Sequence, residues 1–115
     1  MEFYGYKKCS TCRDAHKFLL QHGVDVEFHD FVANPPSLQT LQSWVSRYGQ
    51  GVLPFVNRKG TVFRDRGLKD MDLSETEWME LLHEDGKLIK RPILVTDDEI
   101  VIGFDKAAYE RIANQ

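Results

Sequence analysis

The sequence predicts an α/β fold: a small mixed β-sheet covered by helices, in the order β-α-β, a helical middle, then β-β-α. Three observations predict it. An aromatic-rich run, an apolar helical pattern and a two-residue alternation follow one another within about 30 residues, as in a βαβ unit. Between Ser37 and Gly86 the chain carries two well-capped helical patterns and no clear strand. Two aliphatic triplets, Ile93-Leu94-Val95 and Ile100-Val101-Ile102, then flank a short polar turn, as in a hairpin.

The first strand is Glu2–Tyr6, with Phe3 and Tyr4 followed by Gly5. Ala15, Phe18, Leu19 and His22 recur at helical spacing, and Gly23 stands where a helix end wants a left-handed residue. Ser10 and Thr11 are both competent caps, so the helix is predicted to start there. Val24, Val26 and Phe28 alternate with Asp25, Glu27 and His29, predicting a half-buried second strand parallel to the first.

Asn34-Pro35-Pro36-Ser37 ends that unit, because proline lacks an amide donor and turns the residue before it away from helix. Ser37 caps a second helix with Leu38, Leu41, Trp44, Val45 and Tyr48 on its apolar face, stopped by Gly49 and Gly51. From Val52 to Leu68, Pro54, Gly60 and Gly67 break the pattern, and Thr61-Val62-Phe63 suits either a strand or one helical turn. Ser74 and Glu77 form a capping box for a helix with Trp78, Leu81 and Leu82, ending at Gly86. Ile93–Val95 and Ile100–Ile102 make the hairpin around Thr96–Glu99, and Asp105 caps a last helix using Ala108, Tyr109 and Ile112. This order suits the thioredoxin fold.

The chain has 115 residues, 42% hydrophobic and 29% charged, with a net charge of −3. That length predicts one domain, residues 1–115, with the helical insertion at about 37–86. A chain this long folds without disulfides or metals. No apolar run approaches the ~18 residues of a membrane span, and the N-terminus shows no secretory pattern. The slight acidity gives no pull toward nucleic acid or anionic lipid. A soluble, monomeric cytoplasmic protein is predicted.

The two cysteines, Cys9 and Cys12, cannot build a disulfide framework. In a reducing compartment such a spacing points to chemistry, and its strand–Cys-x-x-Cys–helix context is the one redox chemistry requires. The thiolate is the attacking species, and Cys9, just before a helix, would face unpaired amides and the positive end of the dipole. Lys7, Lys8 and Arg13 add positive charge nearby. Cys12, one turn on, can resolve whatever forms on Cys9 as an intramolecular disulfide. The bland alternative is two small residues packed beside a strand. A zinc site would need more ligands: Cys9, Cys12 and His16 have plausible spacing, but no second Cys-x-x-Cys or His pair follows, so no metal is predicted. His16 is predicted to be an ordinary helix-surface residue.

Lys90-Arg91-Pro92-Ile93 precedes the hairpin. A proline can open a strand because no ladder donor is needed there. In thioredoxin-like folds the equivalent proline is often cis and faces the cysteine loop, so Arg91 would then lie near Cys9, where its guanidinium can fork onto an oxyanion or hold the thiolate. The alternative is a solvated basic pair beside an edge strand. Arg58, Lys59, Arg64 and Arg66 form a basic stretch of the kind that is usually a solvated face. Trp44, Trp78, Phe55 and Phe63 are predicted to be core residues.

Four blocks resemble the arsenate reductase (ArsC)/Spx family, in order and over essentially the whole chain. They are Tyr4–Arg13 (YGYKKCSTCR), Asn34–Ser37 (NPPS), Phe55–Leu68 (FVNRKGTVFRDRGL) and Asp85–Pro92 (DGKLIKRP). The resemblance implies a thioredoxin-like sheet with a helical insertion between the second and third strands. It implies that Cys9 is the nucleophile and that Arg91 binds the oxyanion, with Arg58 matching a second such arginine across a gap. The reductases' third arginine would fall near Gly103 or Phe104, and neither is basic. Cys12 instead resembles the Spx branch and its short arsenate reductase-like relatives.

Two functions follow as expectations. One is an arsenate reductase-like thiol–disulfide oxidoreductase with Cys9, Cys12 and Arg91 as catalytic residues, and Arg13, Arg58 and Pro92 contacting substrate. It would bind no cofactor and would be reduced by thioredoxin or by glutathione and glutaredoxin. The other is a redox-switched regulator that, like Spx, binds the C-terminal domain of the RNA polymerase α-subunit.

Overall fold

Strand β1 spans Glu2–Gly5, β2 Phe28–Asp30, β3 Ile93–Val95 and β4 Ile100–Ile102, and they join in one sheet in the order β2-β1-β3-β4. The structure, a computed structural model, describes residues 1–115. It divides into two units, Met1–Asp30 with Arg91–Gln115, and Phe31–Lys90.

The first unit carries the sheet. β1 runs parallel to β2, with Phe3 opposite Phe28 and Gly5 opposite Asp30, and antiparallel to β3, with Phe3 opposite Leu94. β3 and β4 form the predicted hairpin, closed by a bond from the Thr96 N–H to the Glu99 carbonyl at 2.9 Å. Helix α1 (Ser10–Gln21) connects β1 to β2, and α5 (Lys106–Ala113) starts where the Asp105 carboxylate accepts from the Ala108 N–H. Phe3, Ala15, Leu19, Val26, Leu94, Val101, Tyr109 and Ile112 make the core of this unit. Burying each large apolar side chain contributes roughly 1.5–3 kcal/mol.

The second strand is shorter than the alternation predicts. Its ladder begins at Phe28, because the Val24 N–H turns back to the Leu19 carbonyl at 2.8 Å and closes the end of α1. Val26 still reaches the core, which is why the sequence alternates as a strand does. His16 also departs from expectation. It is half-buried, with Nε2 3.0 Å from the Val26 carbonyl and its ring 5.4 Å from Phe3 and 5.3 Å from Phe28, so it latches α1 to the segment before β2.

The second unit carries α2 (Leu38–Tyr48), α3 (Thr61–Asp65) and α4 (Glu75–Glu84), with single 3-10 turns at Leu53–Phe55, Leu68–Asp70 and Gly86–Leu88. Ser37 caps α2, and the Ser74–Glu77 capping box opens α4 as predicted. Thr61-Val62-Phe63 resolves as helix. Trp44 stacks on Phe55 and Phe63 on Trp78, in a core with Leu41, Leu82 and Leu88. Val56 and Ile89 bridge antiparallel, flanked by 2.7 Å bonds from Asn57 N–H to Leu88 O and from Lys90 N–H to Phe55 O. Gly86 is required there: a Cβ on it would collide with the Phe31 carbonyl.

Candidate active site

β1 ends at Gly5, and the chain makes one turn before α1. That turn is closed by the Cys9 N–H donating to the Tyr6 carbonyl at 2.9 Å, with Lys7 and Lys8 at its centre. Cys9 itself is the N-cap of α1, in extended conformation, with its sulfur accepting from the Cys12 N–H at 3.4 Å. The cap is therefore Cys9 and not Ser10 or Thr11, which lie inside the helix. Sulfur is a weaker acceptor than a hydroxyl, so local cap preference alone favours the wrong residue.

Both cysteines are free thiols, but their surroundings differ. Cys9 is half-buried and Cys12 is 0% exposed. Cys12 packs against Gly5, where an added Cβ would come within 2.9 Å of its sulfur. A side chain at position 5 would push Cys12 away, so the glycine makes the room.

Arg91 completes the arrangement. Its peptide bond to Pro92 is cis, its guanidinium lies 5.3 Å from the centre of the Tyr6 ring, and it is within hydrogen-bonding reach of the Cys9 sulfur. Pro92 is buried, and its carbonyl accepts from the Gly103 N–H at 2.7 Å, which fixes the entry to β3.

These contacts split the two thiols electrostatically. Burial pushes the Cys9 thiol up, but hydrogen bonds from the Cys12 thiol and backbone N–H, together with the Arg91 guanidinium, outweigh it and hold Cys9 below the ordinary thiol value. Burial pushes the Cys12 thiol up to about 12, and the neighbouring Cys9 anion adds to the rise, against a lowering bond from the Tyr6 backbone. The contacts thus favour the thiolate on Cys9 over the thiolate on Cys12. Such a pair can attack an electrophile through Cys9 and then close a disulfide through Cys12.

Of the other predicted site residues, Arg13 lies in the first turn of α1, but its Nη1 donates to the Lys7 carbonyl at 3.1 Å. Arg58 belongs to the second unit, exposed at the rim of a cavity of about 480 Å³ floored by Phe63, Leu68 and Trp78. At the predicted place of a third arginine, Gly103 adopts a left-handed φ of 82° and Phe104 packs on the core, with the Lys106 ammonium 5.8 Å from its ring. Sequence reasoning missed Tyr6 as the platform under Arg91 and Asp30 as the carboxylate that accepts from the Lys7 N–H at 3.2 Å. Only the position of Asp30 at the end of a predicted strand hinted at its role.

The ArsC family model matches residues 4–112. The chain belongs to the ArsC family. Among its relatives, the Bacillus subtilis protein YusI is 36% identical over 112 residues, covering 96% of this chain and 95% of YusI. A protein from Streptococcus mutans described as a possible arsenate reductase is 41% identical in structure-based comparison, with a TM-score of 0.85 and coverage of 96% and 95%. The global transcriptional regulator Spx of Streptococcus pyogenes is 28% identical over 98 residues, covering 85% of this chain and 73% of Spx. The chain's similar proteins thus include one described as a possible arsenate reductase and one named as a transcriptional regulator. No helix of the chain is long and apolar enough to cross a membrane.

Proposed function

We propose that this ArsC family chain is an arsenate reductase-like thiol–disulfide oxidoreductase in which Cys9 is the nucleophile and Cys12 the resolving thiol. The observation that carries this reading is the electrostatic split between the two sulfurs, with Arg91 on the Cys9 side. The Cys9 thiolate attacks arsenic(V), forming an S–As bond and displacing one arsenate hydroxyl, which leaves as water with a proton from solvent. Cys12 then gives its proton to an arsenic-bound oxygen and attacks the Cys9 sulfur, which forms the S–S bond and breaks the S–As bond. The S–As electron pair leaves with arsenic as arsenite, so two electrons pass from the thiols to the metalloid. Thioredoxin, or glutathione with glutaredoxin, returns the disulfide to two thiols, chemistry suited to the reducing cytosol.

Arg91 supports the first step by neutralising the oxyanion, with charge-assisted bonds of roughly 1.5–3 kcal/mol. Gly103 and Phe104 offer no further guanidinium, so oxyanion recognition here relies on fewer cations than in the arginine-rich reductases. Single turnover tests the reading: reduced protein is mixed with stoichiometric arsenate, and separately with peroxide, and loss of two hydrogens is followed by mass spectrometry. Saturable disulfide formation with arsenate is expected; oxidation by peroxide alone would remove arsenate as substrate.

The similarity to Spx favours a second reading, in which the same thiol pair reports oxidation and the protein acts on transcription by binding the C-terminal domain of the RNA polymerase α-subunit. The cysteines would then form a disulfide without turnover, and reduced and oxidised protein would differ in affinity for that domain.

A further inference from the structure

The turn that delivers Cys9 is held at a single residue, Lys7, through the two peptide groups that flank its Cα. The Lys7 N–H donates to Asp30 Oδ2 at 3.2 Å, and the Lys7 carbonyl accepts from Arg13 Nη1 at 3.1 Å. Lys7 is the second residue of the turn closed by Cys9 N–H and Tyr6 O, so both of its remaining backbone hydrogen-bonding groups are taken. The strand register puts Asp30 there: it pairs with Gly5, the last residue of β1, and therefore stands beside the chain as it leaves the sheet. Arg13 arrives from the opposite side, and its own backbone N–H holds the Cys9 carbonyl at 3.1 Å.

We propose that Asp30 and Arg13 are positioning residues that clamp Lys7 at its N–H and at its carbonyl, on the two peptide groups flanking its Cα, and thereby fix the turn presenting the Cys9 sulfur. This rests on the reading of Cys9 as the nucleophile. It reassigns Arg13 from substrate to backbone, since a guanidinium nitrogen committed to the Lys7 carbonyl is anchored in the loop. Exposed turns are otherwise mobile, and the helix-end and Arg91 contacts act on Cys9 only while its sulfur stays in place. Two opposite charges at one residue suit that task, because each forms a charge-assisted hydrogen bond to the backbone group it can satisfy.

Charge alone predicts something different, which makes the clamp testable. The charged and titratable groups on the elements that hold Cys9 are Arg91 before β3, Tyr6, Lys7 and Lys8 in the turn, Arg13 and Cys12 in α1, and Asp30 at the end of β2. Removing the Asp30 anion would, through space, favour the Cys9 thiolate. Loosening the turn would disfavour it.

The test is the pH dependence of Cys9 alkylation by iodoacetamide, with the label located by peptide mass spectrometry, in reduced full-length protein. Asp30→Ala and Arg13→Ala are each expected to move the curve to higher pH and to slow alkylation at pH 7 by roughly three- to tenfold. Asp30→Asn keeps an acceptor oxygen without the charge and should stay within about twofold of wild type. The double Ala variant should be little worse than either single one, because one release already frees the turn at Lys7. Alkylation that is unchanged or faster in Asp30→Ala, with the fold intact by circular dichroism, would overturn the clamp. If Cys9 were not the nucleophile, wild type itself would lack a lowered alkylation midpoint, so the two failures are distinguishable.

Discussion

The Cys12 backbone N–H points at the sulfur of Cys9, 3.4 Å away, so the nucleophile caps the helix that carries its resolving partner. Cap and thiolate draw on the same unpaired amides. A serine can replace the cap but not the nucleophile. Cys9→Ser is therefore expected to fold with wild-type stability or up to about 1 kcal/mol better, while Cys9→Ala loses about 0.5–2 kcal/mol. Urea unfolding midpoints compare the two, and neither variant should be oxidised to an intramolecular disulfide.

Arg91 stands within reach of Cys9 and is braced over the Tyr6 ring. Arg91→Ala removes a cation from the thiolate, so the Cys9 pKa rises and alkylation near neutral pH slows by roughly three- to tenfold. Tyr6→Leu, which leaves the charge but removes its aromatic platform, should produce a smaller shift of the same sign. An unchanged thiol titration in Arg91→Ala, followed by thiolate absorbance, would take Arg91 out of the site.

The two thiols carry opposite pH linkages to folding. Burial raises Cys12 to about 12, so folding favours its neutral form: that stability is complete below the ordinary thiol range and is lost as pH rises through about 12. Cys9 is lowered, so its contribution is present above the unfolded thiol value and is lost as pH falls through its folded value. Cys12→Ala should flatten the fall of stability between about pH 9 and 12. Cys9→Ser should instead remove the gain of stability that accompanies rising pH up to the ordinary thiol range, and should not steepen the fall above it. Unfolding midpoints followed through both ranges check both signs.

Gly5 and Tyr109 bound the Cys12 side of the core with different expected costs. Gly5→Ala sets a methyl within 2.9 Å of the Cys12 sulfur and is expected to cost about 1–3 kcal/mol and to slow disulfide closure more than Cys9 alkylation. Tyr109 is 0% exposed, and its hydroxyl has no hydrogen-bond partner. Tyr109→Phe removes that polar group from the core and should leave stability unchanged or raise it by about 1 kcal/mol. Thermal unfolding of both variants, with alkylation of Gly5→Ala, measures these effects.

Much of this fold is legible in the sequence because its signals are local. Ser37, the Ser74–Glu77 pair and Asp105 cap the helices expected of them, since a cap depends on residues three positions away. The hairpin at Thr96–Glu99 follows from its turn chemistry in the same way. Alternation overstates the second strand because it reports burial, and Val26 is buried without being on the ladder. His16 escapes a local reading because its partners, Phe3, Val26 and Phe28, meet it only through tertiary packing.

The site divides similarly. Cys9 and Cys12 announce themselves by spacing, and Arg91 by its proline. Asp30 and Tyr6 do not, because a strand register brings one to the Lys7 turn and a backbone turn brings the other beneath Arg91. Arg58, which the family resemblance singles out, lies in the Phe31–Lys90 unit, and no local pattern in the basic stretch distinguishes it from Lys59, Arg64 and Arg66.

The division of labour between the two sulfurs is tested most directly by trapping. Cys12→Ser and Cys9→Ser proteins are each reduced, mixed with one equivalent of an aromatic disulfide at neutral pH, and read by intact mass and peptide mapping. A rapid, stable mixed disulfide on Cys9 in the Cys12→Ser protein, with Cys12 slow to react in the Cys9→Ser protein, is the predicted result. Equal rates at the two cysteines, or faster capture at Cys12, would contradict it.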